Sequence, residues 1–408
     1  MTKVLIYYLH FTRVIGGGEF IPLAFISELQ KTCEVTLALD WANQEHLENA
    51  IRQFGISIDL SRLKIERVTP EGYHPSLKTT CFTSFYRYRR LKALAKNADI
   101  CISMVNVMDF GRPAHHFIYS VDMGDDDFAA FVANGQTSKK KRGLLGTIKR
   151  FVANSLIRPL LGMHARGDVI RDPKGNIYPN SYYTERLLRD YYGDFNSTVF
   201  YPPTLFACNP KESQRDPLLV LYIGRIVKTK RIEDMIDIVR RARDISGKNL
   251  KLHFAGSFQS PTSPFAKEMH SIEEKESWVS FVGPRYDTDK TAFLLSGTYA
   301  LHAERDEAFG ISVTEYLKAG LVPVVPDEGG TTEIVNNPAL SFHTNEEAAQ
   351  ILVRLLQDET FRTAQQRACA ERAKLFTREA YLKKQHLLLE KILAEAQEQQ
   401  QAGGHGQA

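Results

Sequence analysis

The chain has 408 residues, which is too many for one ordinary domain and enough for two domains with separate hydrophobic cores. Apolar residues make up 43% and charged residues 25%, the balance of a soluble globular protein. The formal net charge of +4 is only mildly basic, so composition gives no support for a nucleic-acid-binding protein.

The five cysteines are scattered, odd in number and without a Cys-x-x-Cys spacing, which favours reduced thiols over disulfides or a zinc site. The apolar run at 3–9 is too short for a signal peptide, and no stretch approaches 18 consecutive apolar residues. We therefore expect a cytoplasmic protein without a transmembrane span.

The first half alternates short apolar runs with helical patterns. The runs lie at 3–9, 35–39, 65–68, 100–105 and 117–121, and the helical patterns at 19–31, 44–54 and 84–96. Short apolar runs separated by helices are typical of a parallel sheet with crossover helices.

The same alternation restarts after a proline-rich stretch at 202–216, which we interpret as a linker. Apolar runs follow at 218–223, 252–256, 279–283, 299–302 and 322–325, with helical patterns at 231–244, 289–296 and 311–319. The predicted fold class is α/β, with two Rossmann-like doubly wound domains facing each other across a cleft.

The predicted domain boundaries follow this division of the pattern. They are an N-terminal acceptor domain over 1–205, a C-terminal donor domain over 206–376, a helix over 377–397 that returns to the N-terminal domain, and a Gln/Gly-rich disordered tail over 398–408.

A cationic turn follows the first apolar run of the second half. Gly224 and Arg225 come directly after that run, and Lys230 comes five residues after the arginine. The arginine fork, the lysine point charge and the helix N-terminus that follows all suit a diphosphate. The alternative interpretation is a basic surface loop without a ligand, because Lys228 and Arg231 in the same turn are cationic too.

Two carboxylates, Glu307 and Glu315, lie eight residues apart across the start of the helix at 311–319. Gly310 between them lets the backbone approach a ligand closely and leaves N–H groups free at the helix start. This arrangement suits sugar hydroxyls and a ribose diol, although acidic residues also occur in first helical turns because of the helix dipole. Gly329 and Gly330 form a further strand-to-helix turn suited to phosphate.

Together these segments resemble the donor site of glycosyltransferase family 4, retaining enzymes of the group 1 type with two Rossmann-like domains (GT-B). Glu307 and Glu315 match its Glu-x7-Glu motif, and Gly224, Arg225 and Lys230 match its Gly-Arg-x4-Lys element. Residues 319–325 and 329–335 echo its Ala-Gly-x-Pro-Val-Val and Gly-Gly-x-x-Glu-Ile-Val elements.

The resemblance implies a retaining hexosyltransferase, mannosyl transfer included, that acts without a metal on a nucleotide-diphosphate sugar. The implied catalytic residues are Arg225 and Lys230, which stabilise the leaving diphosphate in an oxocarbenium-like transition state, and Glu307, which positions the sugar. The implied donor-binding residues are Gly17, Gly18, Gly224, Phe309, Gly310, Ile311, Ser312 and Glu315. The implied acceptor is a glycan or a lipid-linked molecule that attacks on the leaving-group face.

Two features of the N-terminal half bear on the same site. Gly17 and Gly18 belong to a Gly-rich loop that, in the family, lets acceptor and phosphate approach the backbone; a plain tight turn would need the same residues. Asp122 stands roughly where many family members have a histidine that faces the donor sugar. We interpret the acidic run that continues to Asp127 as a solvated loop rather than a metal site.

A basic stretch at 139–158 carries Lys and Arg residues interleaved with apolar ones at near-helical spacing. This pattern predicts peripheral docking on the anionic cytoplasmic face of a membrane, where a lipid-linked acceptor would lie. A second basic stretch at 85–92 could join it. A core-facing helix with a solvated basic face is the alternative for 139–158.

Two other functions share this architecture. A nucleotide-sugar epimerase is disfavoured by the Glu-x7-Glu spacing. A non-catalytic sugar-nucleotide-binding protein is disfavoured by the presence of all four residues Arg225, Lys230, Glu307 and Glu315, whereas the altered region around Asp122 leaves this alternative open.

Overall fold

The computed structural model describes residues 1–12, 17–74, 76, 81–120, 128, 131–132, 162–208, 210 and 215–404. The chain divides into two compact units, one formed by residues 1–202 with 381–408 and the other by residues 203–380. None of the described helices is both long and apolar enough to cross a bilayer.

The N-terminal unit contains a six-stranded parallel sheet. Its strands are β1 (Thr2–Tyr8), β2 (Cys33–Leu39), β3 (Leu63–Arg67), β4 (Ile100–Ser103), β5 (His115–Ile118) and β6 (Asn176–Pro179). The order across the sheet is β3-β2-β1-β4-β5-β6, the doubly wound Rossmann arrangement. The described crossover helices are α1 (Gly17–Leu29), α2 (Gln44–Phe54), α3 (Cys81–Ala95), α4 (Arg166–Ile170) and α5 (Tyr182–Tyr192).

The C-terminal unit repeats this design. Its strands are β7 (Asp216–Ile223), β8 (Lys251–Ala255), β9 (Val279–Phe281), β10 (Gly297–Leu301), β11 (Val322–Pro326) and β12 (Ser341–Phe342), in the order β12-β11-β10-β7-β8-β9. The helices are α6 (Ile232–Ser246), α7 (Pro264–Lys275), α8 (Asp287–Ser296), α9 (Ile311–Lys318), α10 (Gly330–Val335), α11 (Asn345–Gln357) and α12 (Glu359–Ala373). The predicted pair of doubly wound α/β domains is thus confirmed.

The apolar runs form strands because a parallel sheet is covered by helices on both faces, so that successive side chains are all buried. Four consecutive residues at the centre of β1, and all of β10 and β11, are buried. The continuous runs in the sequence therefore mark central strands of both sheets.

A last helix, α13 (Arg378–Gly404), passes from the C-terminal unit into the N-terminal unit. Within the N-terminal unit, the ring of Tyr381 lies 6.1 Å from that of Phe20 and 5.3 Å from that of Phe200. The helix continues as far as Gly404, through residues that the sequence assigned to a disordered tail from 398. Glu, Gln and Ala residues, all good helix formers, extend it there.

The basic stretch at 85–92 lies on α3, and its cations are largely paired inside the N-terminal unit. The ion pairs are Arg87–Asp40 at 2.6 Å, Arg90–Glu66 at 3.2 Å and Lys92–Asp109 at 2.7 Å. These carboxylates hold three of the four cations of the stretch, which argues against its predicted membrane-docking role.

Candidate functional site

Two loops of the C-terminal unit meet at the carboxyl edge of its sheet. β7 and β10 are parallel neighbours, with Leu221 opposite Ala300. After β7 the chain makes a short 3-10 turn over Lys228–Lys230, and after β10 it forms the loop 302–310. Because parallel strands end at the same edge, these loops lie side by side, and the site is built within one unit.

The central contact joins Lys230 to two carboxylates. Its ammonium Nζ contacts both Glu304 Oε2 and Glu307 Oε2. The side chains of Lys230, Glu304 and Glu307 are only 13%, 17% and 21% exposed, so these charge-assisted bonds are poorly screened by water. The structure therefore brings two predicted catalytic residues together and adds Glu304, which the sequence analysis missed.

A buried histidine lies behind this cluster. The side chain of His302 is 1% exposed, and its Nε2 is 3.6 Å from Glu307 Oε2. Within the described part of the chain, neither ring nitrogen of His302 has a hydrogen-bond partner. His302 was also missed by the sequence analysis; the available signal was its position directly after the buried strand β10.

The ionisation of the cluster follows from burial and charge. Burial lowers the pKa of His302 to about 4 despite the nearby Glu307, so the imidazole is neutral at pH 7. Burial and the neighbouring Glu307 raise the pKa of Glu304. Burial opposes ionisation of Glu307, but Lys230, a hydrogen bond with Glu304 and the nearby His302 together outweigh it and lower the pKa of that carboxyl. Of the two acids, Glu304 is the one that more readily holds a proton.

The other predicted cation, Arg225, is exposed at the end of β7, and its guanidinium makes no hydrogen bond or ion pair with the described residues. Its backbone carbonyl accepts a hydrogen bond from the Tyr222 hydroxyl at 3.1 Å. Burial raises the pKa of Tyr222, Glu304 and Glu307 raise it further, and Arg225 opposes them. Arg225 and the Lys230 cluster therefore lie around the same tyrosine.

Glu315 lies on α9, where its carboxylate Oε1 pairs with Lys290 Nζ of α8 at 2.5 Å. Burial raises the pKa of Glu315, although Lys290 opposes this shift. Lys290 also lies over the ring of Phe206, 5.7 Å from its centroid. The predicted ribose-binding carboxylate is therefore held in place by a protein cation through one oxygen.

The N-terminus of α9 begins at Gly310, which has a φ of 98° and no side-chain cap. The N–H of Val313 donates to the Gly310 carbonyl at 2.9 Å, so the N–H groups of Ile311 and Ser312 precede the first helical hydrogen bond. Phe309 is buried and faces Phe376, with 6.1 Å between the ring centroids. The predicted donor amides thus lie at an uncapped helix start.

The Gly329–Gly330 turn packs closely against this loop. The N–H of Gly330 donates to the backbone carbonyl of Glu307 at 2.7 Å. A Cβ on Gly330 would lie 2.4 Å from the carbonyl oxygen of Ala308, so only glycine allows this approach. The Gly330 N–H, one of the donors that the sequence suggested for a phosphate, is therefore already paired with the Glu307 carbonyl.

The remaining predicted positions lie in the N-terminal half. Gly17 and Gly18 form the exposed start of α1; a Cβ on Gly17 would meet nothing within 4 Å, and one on Gly18 would meet only Tyr8 Oη, at 3.9 Å. Packing by the described residues therefore does not require glycine at either position. Asp122 and the basic stretch 139–158 lie outside the described residues.

Comparisons with known proteins agree on the fold. Residues 208–376 match the family described as glycosyl transferases group 1, whereas no curated protein matches the chain. HepE of Anabaena, in complex with UDP and glucose, is 13% identical, with a TM-score of 0.61 over 97% of this chain and 100% of its own.

Two further solved structures are similar over almost their whole length. WaaG, a glycosyltransferase involved in lipopolysaccharide biosynthesis, is 16% identical, with a TM-score of 0.57 over 94% of this chain and 98% of its own. A mutant of S. aureus TarM, in complex with Fondaparinux, alpha-GlcNAc-glycerol and UDP, is 12% identical, with a TM-score of 0.59 over 94% of this chain and 99% of its own. At these identities the likeness shows the GT-B fold.

Proposed function

Because residues 208–376 match the family described as glycosyl transferases group 1, we propose that the chain is a retaining glycosyltransferase that moves a hexose from a UDP-sugar to a glycan or lipid-linked acceptor. The observation that carries this proposal is the grouping of cations, carboxylates and an uncapped helix start at one edge of the C-terminal sheet. Arg225 and Lys230 supply the cations, Glu307 supplies a carboxylate, and Gly310 begins the helix.

Departure of a nucleoside diphosphate concentrates negative charge on its phosphate oxygens. The exposed guanidinium of Arg225 can bind two of these oxygens, and Lys230 adds a point charge at the next turn. The uncapped N–H groups of Ile311 and Ser312, at the positive end of α9, add preorganised donors. These groups stabilise the leaving diphosphate more than the intact donor, which lowers the barrier to transfer.

The carboxylates hold the rest of the donor. Glu307, kept ionised by Lys230, accepts hydrogen bonds from sugar hydroxyls. Glu315 is fixed through Oε1 by Lys290, so Oε2 accepts hydrogen bonds from the ribose hydroxyls. The acceptor attacks from the side on which the diphosphate leaves, a phosphate oxygen removes its proton, and the anomeric configuration is retained.

We propose that the reaction needs no divalent metal. His302, Glu304 and Glu307 have ligand atoms within 4.8 Å of one another, which is the donor set of a small metal site. The ammonium of Lys230, however, contacts both of these carboxylates and takes the place that a cation would fill. A metal ion would have to displace a positive charge that the proposed mechanism uses.

The choice of uridine diphosphate comes from the structural relatives. HepE was crystallised with UDP and glucose and TarM with UDP, and both share the fold over nearly the whole chain. The proposal that the acceptor is lipid-linked, and that the protein acts at the cytoplasmic face of a membrane, rests on the basic stretch 139–158. A complete failure to float with anionic liposomes at low salt would remove that part of the proposal.

The enzymatic proposal is tested by the release of UDP from UDP-glucose, measured on wild type and three variants. We expect Lys230→Ala and Glu307→Gln to lose most turnover. The matched control is Lys228→Ala, which removes an exposed cation from the same 3-10 turn and should leave turnover unchanged. Equal turnover in all four proteins would refute the assigned site, and tight binding of UDP-glucose without any turnover would favour a non-catalytic binding protein.

A further inference from the structure

The lysine that the proposed function assigns to the diphosphate already has two anionic partners in this structure. Lys230 Nζ contacts Glu304 Oε2 and Glu307 Oε2. If both acids were ionised, the cluster would carry excess negative charge and would repel a diphosphate. Glu307 has a place in the proposed mechanism because it holds the sugar, whereas Glu304 has none.

Glu307 also has a neighbour that stabilises it when Lys230 turns to phosphate. The imidazole of His302 is 99% buried, both its nitrogens lack partners within the described residues, and its Nε2 lies 3.6 Å from Glu307 Oε2. With a proton on Nε2, this ring can donate to the ionised carboxylate. Glu304, by contrast, is held by Lys230 and Glu307 themselves.

Two carboxyl groups form a hydrogen bond to each other only if one carries a proton, because an ionised carboxylate has no donor. Resting on the proposed function, we propose that Glu304 takes up one proton from solvent when the donor diphosphate binds Lys230, and then donates a hydrogen bond to Glu307. The proton binds a carboxylate oxygen of Glu304, and no bond of the donor changes in this step. Glu304 is thus a residue that sets donor affinity through its protonation.

The groups around this carboxyl come from three elements. They are Lys230 after β7, Tyr222 on β7, and His302 and Glu307 after β10. Arg225 interacts with Tyr222, and Tyr316 on α9 interacts with Tyr222 and Glu307. Burial raises the pKa of Glu304, Glu307 raises it further, and Lys230 opposes both. Binding of a diphosphate to Lys230 weakens the opposing effect, so this pKa is higher in the complex. Donor affinity therefore falls as the pH rises through the interval between the two pKa values.

The test is calorimetric titration with UDP-glucose, whose doubly esterified diphosphate does not titrate near neutral pH, unlike the terminal phosphate of UDP. Titrations in buffers with different ionisation enthalpies give the number of protons taken up on binding. For wild type we expect uptake approaching one proton within the sensitive interval, with Kd rising by up to about tenfold per pH unit. For Glu304→Gln we expect no uptake and a Kd that does not change with pH.

The matched control is Asp306→Asn, which removes an exposed acid from the same loop and should keep the wild-type proton uptake. Binding by wild type without proton uptake at any pH from about 6 to about 9, or equal uptake by Glu304→Gln, would overturn the inference. Absence of binding by both proteins would instead overturn the proposed donor, and this inference with it. Thermal melting shows that each variant is folded before titration.

Discussion

The hydroxyl of Tyr316 accepts a hydrogen bond from the backbone N–H of Ile223, with 2.9 Å between the oxygen and the nitrogen. Tyr316 is fully buried on α9, and Ile223 is the last residue of β7. The bond therefore ties the helix that carries Glu315 to the strand that ends at Gly224 and Arg225. One side-chain to backbone contact fixes the spacing between the two halves of the proposed donor site.

Tyr316→Phe removes the hydroxyl that accepts the hydrogen bond from the backbone N–H of Ile223. We expect a loss of about 1–3 kcal/mol in the free energy of unfolding, the usual cost of an unsatisfied buried donor. We also expect a several-fold weaker affinity for UDP-glucose, because the cationic turn is no longer fixed relative to α9. Urea unfolding and calorimetric titration measure the two effects.

Tyr299→Phe is the control for this change. The buried hydroxyl of Tyr299 donates to the carbonyl of Leu355 at 3.2 Å, so its loss also removes a hydrogen bond made by a buried tyrosine, although Arg362 still donates to this carbonyl. This bond joins β10 to α11 and does not connect the two halves of the site. A loss of about 0.5–1.5 kcal/mol in unfolding free energy with unchanged affinity for UDP-glucose is expected. Equal weakening of binding in both variants would contradict the positioning role of Tyr316.

The fold was largely predictable from sequence because buried parallel strands read as continuous apolar runs. β7 and β11 were found in this way. The helix α12 was not, since its polar composition has no apolar stripe of helical period. The last helix was expected to end at 397, and continues to Gly404 because Gln-rich and Ala-containing sequence is as compatible with a helix as with a disordered tail.

The candidate site was predictable as separate motifs but not as a cluster. Lys230 and Glu307 were each identified from their spacing to neighbouring residues. Their contact depends on β7 and β10 being adjacent although two strands separate them in sequence, and strand order is not readable from local patterns. Glu304 and His302 were missed because a lone acid and a histidine after a strand have no spacing signal; only the fold aligns them with Lys230.

Gly310 provides a steric test of the loop that presents the predicted donor amides. Gly310→Ala would hold alanine at a φ of 98° and place its Cβ 2.6 Å from Thr331 Cγ2. We expect a loss of about 2–4 kcal/mol in unfolding free energy, together with weaker binding of UDP-glucose because the loop must move. Urea unfolding and titration check both expectations.

The control separates strain from crowding. Gly247 also has a positive φ, at 65°, but a Cβ there would meet nothing within 4 Å, so Gly247→Ala should cost only about 1 kcal/mol. Adding Thr331→Ser to Gly310→Ala removes the clashing methyl group and should recover part of the loss. No difference between the Gly310 and Gly247 variants would show that contact with Thr331 does not matter.

Glu304 makes the stability of the ligand-free protein pH-dependent. Burial, with Glu307, raises its pKa to about 7, above the ordinary value of 4.5. Between these two pKa values the folded state binds the proton of Glu304 more tightly than the unfolded state does. Glu304 therefore lowers the unfolding free energy as the pH rises, and this cost is complete above the folded-state pKa. Glu304→Gln should therefore stabilise the protein by about 1–3 kcal/mol more at pH 8 than at pH 4.5.

Urea unfolding of wild type and Glu304→Gln at both pH values measures this difference. The exposed carboxyl of Asp306, in the same loop, serves again as the matched site, and Asp306→Asn should show little change between the two pH values. If Glu304→Gln increased the unfolding free energy more at pH 4.5 than at pH 8, the pH dependence would have the opposite sign. That result would contradict a pKa of Glu304 raised by burial.

Arg87 on α3 provides a test in the N-terminal unit. Its guanidinium makes two hydrogen bonds, of 2.7 and 2.6 Å, to the carboxylate of Asp40, which also accepts from the Tyr7 hydroxyl at 3.0 Å. The Asp40 side chain is only 3% exposed, so Arg87→Met would leave a buried charge without its cation. We expect a loss of about 3–5 kcal/mol in unfolding free energy at pH 8.

The pH dependence of that loss identifies its cause. Burial already raises the pKa of Asp40 although Arg87 opposes it, and removal of Arg87 raises this pKa further. An acid with a raised folded-state pKa lowers stability increasingly as the pH rises from its unfolded-state to its folded-state pKa, so the loss should shrink as the pH falls through this interval. Arg89→Met, on the exposed side of the same helix, should change stability by less than about 0.5 kcal/mol at either pH. Equal losses of stability for the two arginines would mean that the Arg87–Asp40 pair does not specifically stabilise α3. The basic stretch at 85–92 would then again be a candidate surface for membrane docking.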